Sequence, residues 1–471
     1  MLSDIGDEPK PSGRRSLGLM VSGTVFSQGL QAGASLLLAR LYTPDEFGQY
    51  ASILSIATVV GAIIAFSYPT AIALAENDRE SRLIAWLSMT LAASAASLVT
   101  VVLGAGVIVG VEAWGWRPDW QQVLFVPITA LAIAVWGTLQ FRQARLSAFH
   151  RVAMATSGGA TAQVGLQIGL GWLGWGAPGL SAGYLVGRLV NLGILGRRAH
   201  LGRPPRLSAL RQTAARWSEM PRWQLPTTVM NLLGTSAITP WVAKQYGLDA
   251  AGSFAFALMM LSVPAALVGQ AVGTILFPRL AAADRGAGIR PDAVESYVRR
   301  LFSVAMPLFL PVLVLGPELF SLVFGSDWSG AGQVAAILSP YLAVSLASSA
   351  LSSIPVVKRR LGTILVWATI DTALRFTAIA IGGLTDSDLI GFALYAAVGT
   401  VSLCGYLMWT LHMAGVSTAS LLRRNWGTIS LALGTVAGLL VARSQVPVMA
   451  LWVITLVADA CWAFVAIRKL R

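Results

Sequence analysis

The chain has 471 residues, of which 55% are hydrophobic and only 12% charged, with a formal net charge of +13. Soluble domains carry about 25% charged residues, so a soluble globular chain is excluded. Apolar stretches of roughly 18–25 residues that do not alternate point to membrane-spanning helices and exclude a β-barrel, because a bilayer forces backbone groups to pair internally.

In chain order, a polar stretch (1–16) precedes predicted spans at 17–39, 48–75, 83–110, 121–140, 152–173 and 178–196. A basic segment, 197–222, carries Pro204 and Pro205 and separates these from a second set at 223–243, 250–276, 300–323, 331–355, 363–383 and 389–412. Two more spans follow at 427–441 and 448–467, giving fourteen in all. The expected fold is all-α: an N-lobe (17–196), a linker, a C-lobe (223–412) and an appended pair within 413–471. The apolar stretch behind the polar N-terminus is too long for a cleaved signal, so the first span is expected to act as the anchor.

The placement of the basic residues explains their excess. Arg40, Arg117, Lys244 and Arg443 fall at one set of helix ends and Arg188 and Arg375 inside spans; every other Lys and Arg falls at the opposite ends. The positive-inside rule then places both termini in the cytoplasm and removes the case for nucleic acid as a partner. The outer loops, such as Leu41–Phe47 and Leu384–Asp388, are too short to fold into a domain. Cys404 and Cys461 lie inside spans with no Cys/His cluster nearby, and are expected to be buried small hydrophobes rather than metal ligands. Trp114, Trp116 and Trp120 cluster in one outer loop as interface anchors, with sugar stacking as the other reading.

An internal repeat is visible. ARLYTPDEFGQYA (39–51) aligns without a gap with AKQYGLDAAGSFA (243–255), matching Arg40 with Lys244, Tyr42 with Tyr246, Asp45 with Asp249, Gly48 with Gly252 and Tyr50 with Phe254. Both segments open a six-helix block. This implies two lobes related by a pseudo-two-fold axis along the membrane normal, as in transporters built from parallel repeats.

Four stretches resemble the oligosaccharide flippases (Wzx-type polysaccharide transporters) of the superfamily that also holds MATE drug exporters and lipid II flippases. They are the corner 38–51, FRQARLSAFHR at 141–151, the block 219–280, and GPELFSLVFGSDWSGAG at 316–332. The resemblance spans most of 14–412. It implies translocation of an undecaprenyl-pyrophosphate-linked oligosaccharide from the inner to the outer leaflet of the bacterial inner membrane, for O-antigen, capsule or exopolysaccharide. It also implies alternating access, no cofactor, and a polysaccharide polymerase with its chain-length machinery as candidate partners.

Such a cargo calls for a cationic route. An ionisable residue inside a membrane costs roughly 2.5–3.5 kcal/mol on insertion scales and is a functional candidate for that reason. Arg188, Arg375, Asp371 and Asp459 stand deep in spans. Asp371 and Arg375, four apart, share a helix face and form either a structural ion pair or one that cargo or a coupling ion opens. Asp459 is either an ion-coupling group or a residue of the appended pair's interface. Arg188 follows Gly183 and Gly187 and either snorkels or faces the cavity. Arg40 and Lys244 either cap their helices or supply one cavity cation per lobe. Arg142, Arg145 and Arg222, at inner ends, are candidates for first capture of the pyrophosphate, against a topogenic role.

Three other activities are open to a membrane protein of this composition. A membrane glycosyltransferase or polymerase needs acid/base groups at a water-exposed site, whereas the outer loops are short and His150, His200 and His412 lie near inner ends. A MATE-type drug exporter would want acidic cavity residues, which the first-lobe spans lack. A lipid II flippase fits the count of fourteen.

Overall fold

The computed structural model describes residues 11–110, 119–262, 291–351, 354–355, 358, 360–385 and 387–470. All secondary structure among them is helical, and the chain forms two compact units, Met1–Lys244 and Gln245–Arg471.

The first unit contains α1 (Pro11–Leu41), α2 (Pro44–Ile64), α3 (Tyr68–Leu74), α4 (Asp78–Val109), α5 (Trp120–Arg145), α6 (Phe149–Trp172), α7 (Gly176–Gly196), α8 (Leu207–Arg216) and α9 (Leu225–Ser236). The unit boundary falls within α10 (Ile238–Tyr246). The start of α2 is written into TPDE: Thr43 Oγ1 accepts from the Glu46 amide, Glu46 Oε2 accepts from the Thr43 amide at 2.9 Å, and Pro44 fills a position that needs no donor. Asn77 and Asp119 cap α4 and α5 by accepting from the amides of Glu80 and Gln122. A core of Ile64, Ala65, Ala92, Ala96, Ala130 and Ala134 lets α2, α4 and α5 approach closely.

The second unit contains α11 (Leu248–Ser262), α12 (Pro291–Phe324), α13 (Ser329–Leu351), α14 (Leu361–Gly382), α15 (Asp388–Met413), α16 (Thr418–Gln445) and α17 (Val448–Leu470). Here α13 packs on α12 and α15, α14 on α15, and the pair α16–α17 on α12.

Eight described helices are long and apolar enough to cross a membrane: α2, α4, α5, α7, α12, α13, α14 and α15. Several expected boundaries change. The span expected at 48–75 is two helices, because Phe66 and Ser67 adopt φ of 50° and 55° and Pro69 cannot continue the hydrogen-bond ladder. The span expected at 223–243 is a π-helical turn (Met220–Gln224) followed by α9 and α10. Within the basic linker, α8 is helical and buries Leu210 against Ile72 and Ile84. The helix expected to begin at 300 begins at Pro291. Positions 263–276 of the expected eighth span, Trp114, Trp116 and the first ten residues lie outside the described residues. Cys404 is half-buried, but Cys461 is exposed rather than buried, because the face of α17 that packs on α12 is the one carrying Leu451, Ala458 and Trp462.

Candidate functional site

In the first unit, the corner fixed by Thr43 and Glu46 leads into Tyr50, which is buried with its ring 6.5 Å from that of Tyr184 on α7. One turn further along α7, Arg188 donates from Nε and Nη2 to the Tyr184 hydroxyl at 2.9 and 2.7 Å. Its guanidinium carbon lies 4.5 Å from the ring centre of Trp136 on α5 and 4.9 Å from that of Tyr184. Local sequence explains the placement. Gly183 and Gly187 are committed to α6, where a Cβ at Gly187 would meet Gln163 and the carbonyl of Gly159. One position round the helix, Tyr184 and Arg188 are therefore turned towards α2 and α5. Among the described residues no carboxylate pairs with Arg188, so this cluster keeps its positive charge. It is also half-buried and therefore reachable. Cation–aromatic contact of this kind is worth about 0.5–2 kcal/mol and leaves guanidinium donors free for an anion.

The second unit holds a related cluster with a different balance. Arg375 on α14 donates from Nη1 to the hydroxyls of Tyr341 (α13, 2.7 Å) and Tyr395 (α15, 3.2 Å), and from Nη2 to Asp371, whose nearer oxygen lies at 2.9 Å. Its guanidinium carbon is 4.6 Å from the Tyr341 ring centre. Tyr395 meets Phe254, the counterpart of Tyr50 in the repeat, edge-on at 5.4 Å. Gly399 admits the Tyr341 ring, which a Cβ there would strike. Arg375 is 5% exposed and charge-neutralised by Asp371, with Nε left without a partner among the described residues. Each unit thus sets one arginine among aromatic side chains near the corner's aromatic residue, and among the described residues the second alone adds a carboxylate.

The other sequence candidates are dispersed. Arg142 is fully buried: Nε donates to the Ala199 carbonyl at 3.2 Å and Nη1 to Ser81 at 3.0 Å, and it pairs with Asp78. Arg145 donates to the carbonyls of Ile72 and Ala73 at the end of α3. Arg222 is exposed in the π-helical turn. Arg40 is exposed in the last turn of α1, and Lys244 is exposed with its ammonium 5.0 Å from the Trp241 ring centre. Asp459 has a buried Oδ1 without a partner among the described residues. Among those residues no group of three His, Cys, Asp or Glu could hold a metal. Sequence reasoning missed Trp136, Tyr341 and Tyr395. Tyr184, four residues before Arg188, was readable from helical spacing; the others come from separate helices and had no local signal.

Known proteins agree with this architecture. The family described as polysaccharide biosynthesis protein matches residues 37–333. A succinoglycan biosynthesis transport protein, ExoT of Rhizobium meliloti (strain 1021), is 21% identical over 408 residues, covering 85% of this chain and 80% of the relative. The lipid II flippase MurJ, in an inward closed conformation, superposes with a TM-score of 0.71 at 13% identity, covering 96% of this chain and 99% of MurJ. An inward-facing multidrug resistance transporter of the MATE family gives 0.53 at 12% identity, with 87% and 99% covered. A family match over more than half its length identifies this all-helical chain as a member of the polysaccharide biosynthesis protein family, with the fold shared by MurJ and the MATE-family transporter.

Proposed function

We propose that the protein is a flippase that carries an oligosaccharide linked through pyrophosphate to undecaprenol across the bacterial inner membrane, for assembly of a surface polysaccharide. It works by alternating access between two six-helix lobes with fourteen spans and both termini in the cytoplasm, and hands its cargo to a polymerase. The observation that carries this reading is the Arg188 cluster: a reachable guanidinium with no carboxylate partner among the described residues, placed over Trp136 within membrane-length helices. The cation suits a pyrophosphate and the aromatic face suits a sugar ring. Family membership and the succinoglycan transport relative support the same cargo class. The neutralised Arg375 cluster acts as the structural counterpart in the other lobe. A lipid II cargo is the second reading, favoured by the coverage of MurJ.

Deletion of the protein in its own host tests the proposal. The expected result is loss of one surface polysaccharide with accumulation of its lipid-linked repeat unit on the cytoplasmic leaflet. Accumulated lipid II would favour the second reading, and unchanged pools of both would contradict the two.

A further inference from the structure

In the second unit, α12 is broken near its C-terminal end. Leu315 leaves helical geometry at φ −113°, ψ 18°, and Pro317 has no N–H to offer the Leu313 carbonyl. At this break, Arg443 reaches across from the last turn of α16. Its Nη1 donates to the Val314 carbonyl at 2.8 Å and its Nη2 to Glu318 at 3.1 Å. Val314 is fully buried, so its carbonyl is shielded from water. Arg443 is also one of the few basic residues placed against the positive-inside trend. Leu310, Val314 and Leu315 of α12 pack with Leu439 of α16 and with Leu451 and Trp462 of α17 around the same point. On its other side, the break lets Gly316 meet Gly332 of α13 backbone to backbone, leaving no room for a Cβ on either. The helix seated at Gly332 is the one that carries Tyr341, the 2.7 Å partner of Arg375.

We propose that the hairpin of α16 and α17 is a brace that fixes the seat of α13 against the broken α12, and through it the approach of Tyr341 to Arg375, with Arg443 as a positioning residue. The two acceptors of Arg443 flank the break and are served by separate nitrogens of the planar fork, a geometry that the single ammonium of a lysine does not reproduce. The route from Arg443 runs through the broken turn of α12 to Gly316, across to Gly332 and along α13 to Tyr341, all within one unit, and the brace biases the cluster without touching it. This inference concerns the internal order of the second unit and stands whatever the cargo.

The test uses the full chain in nanodiscs with fluorotyrosine incorporated at position 341, read by fluorine NMR in wild type, Arg443→Lys and Arg443→Ala. Fluorotyrosine at position 184 in the first unit is the control. The brace predicts that the position-341 resonance shifts or broadens in Arg443→Lys and further in Arg443→Ala, while the position-184 resonance stays in place. An unmoved position-341 resonance in a folded Arg443 variant overturns the proposal, as does equal movement of both resonances. If Arg443→Ala does not fold, Arg443→Lys carries the same criterion, because it keeps a cation for Glu318 and loses only the fork.

Discussion

Tyr42 and Tyr246, 204 positions apart, make the same hydrogen bond in the two units: each hydroxyl donates at 2.6 Å to a main-chain carbonyl, of Gln167 in one case and Ile379 in the other. The acceptors lie 212 positions apart, as do the starts of α6 and α14 (Phe149, Leu361) and of α7 and α15 (Gly176, Asp388). A duplicated block that gained eight residues between its corner and its last hairpin accounts for both offsets. Tyr42→Phe and Tyr246→Phe should each lower stability by about 1 kcal/mol. The losses should add in the double variant, since the two bonds share no partners. Thermal unfolding in detergent checks both statements.

The Tyr246 corner depends on a close approach. A Cβ at Gly391 would run into the Tyr246 hydroxyl. Gly391→Ala should therefore destabilise by roughly 1–3 kcal/mol as overpacking. Adding Tyr246→Phe should recover part of that loss, because it removes the atom in the way. Comparison of the three variants by unfolding midpoint decides it.

Arg142, itself fully out of solvent, is bonded to Ser81, to the Ala199 carbonyl and to the half-exposed Asp78. Arg142→Ala should cost about 1–3 kcal/mol by stranding the buried Ser81 hydroxyl and Ala199 carbonyl. Its effect should appear as reduced membrane level and thermal stability, with the transport rate per folded molecule kept. A normal level with abolished transport would instead place Arg142 on the cargo route.

The Asp371–Arg375 pair is nearly out of solvent, at 19% and 6% side-chain exposure. Removing one partner leaves an uncompensated charge, which costs about 3–5 kcal/mol in buried pairs. Asp371→Asn alone should accordingly be more damaging than the Asp371→Asn/Arg375→Met double variant. The unfolding midpoints of the two give the comparison directly.

How far the sequence could be read follows from which interactions are local. The corner was legible because a turn and its repeated counterpart are written within two runs of thirteen positions, 39–51 and 243–255. The Asp371–Arg375 pair was legible from helical spacing, and the structure forms it. The break at Phe66–Ser67 was missed because hydropathy runs unchanged through it, although Pro69 was the available clue. The docked helix α8 was missed because a segment rich in arginine reads as solvated loop; its Leu210, and Trp217 just beyond its end, join a hydrophobic cluster with residues of α3 and α4. Tyr341, Tyr395 and Trp136 converge on arginines only through tertiary packing. Arg443, a charge against the positive-inside trend, finds its partners at the break in α12, which no local pattern announces.

The central claim is that the Arg188 cluster meets the cargo. The most direct measurement compares wild type, Arg188→Lys and Arg188→Gln at matched membrane levels, reading translocation of the lipid-linked glycan and thermal stability on the same samples. The account predicts a loss of transport on the order of tenfold or more in Arg188→Gln and a partial loss in Arg188→Lys, with unfolding midpoints close to wild type, since an anion-binding guanidinium is worth about 1.5–3 kcal/mol. Full transport by Arg188→Gln at normal stability would contradict it.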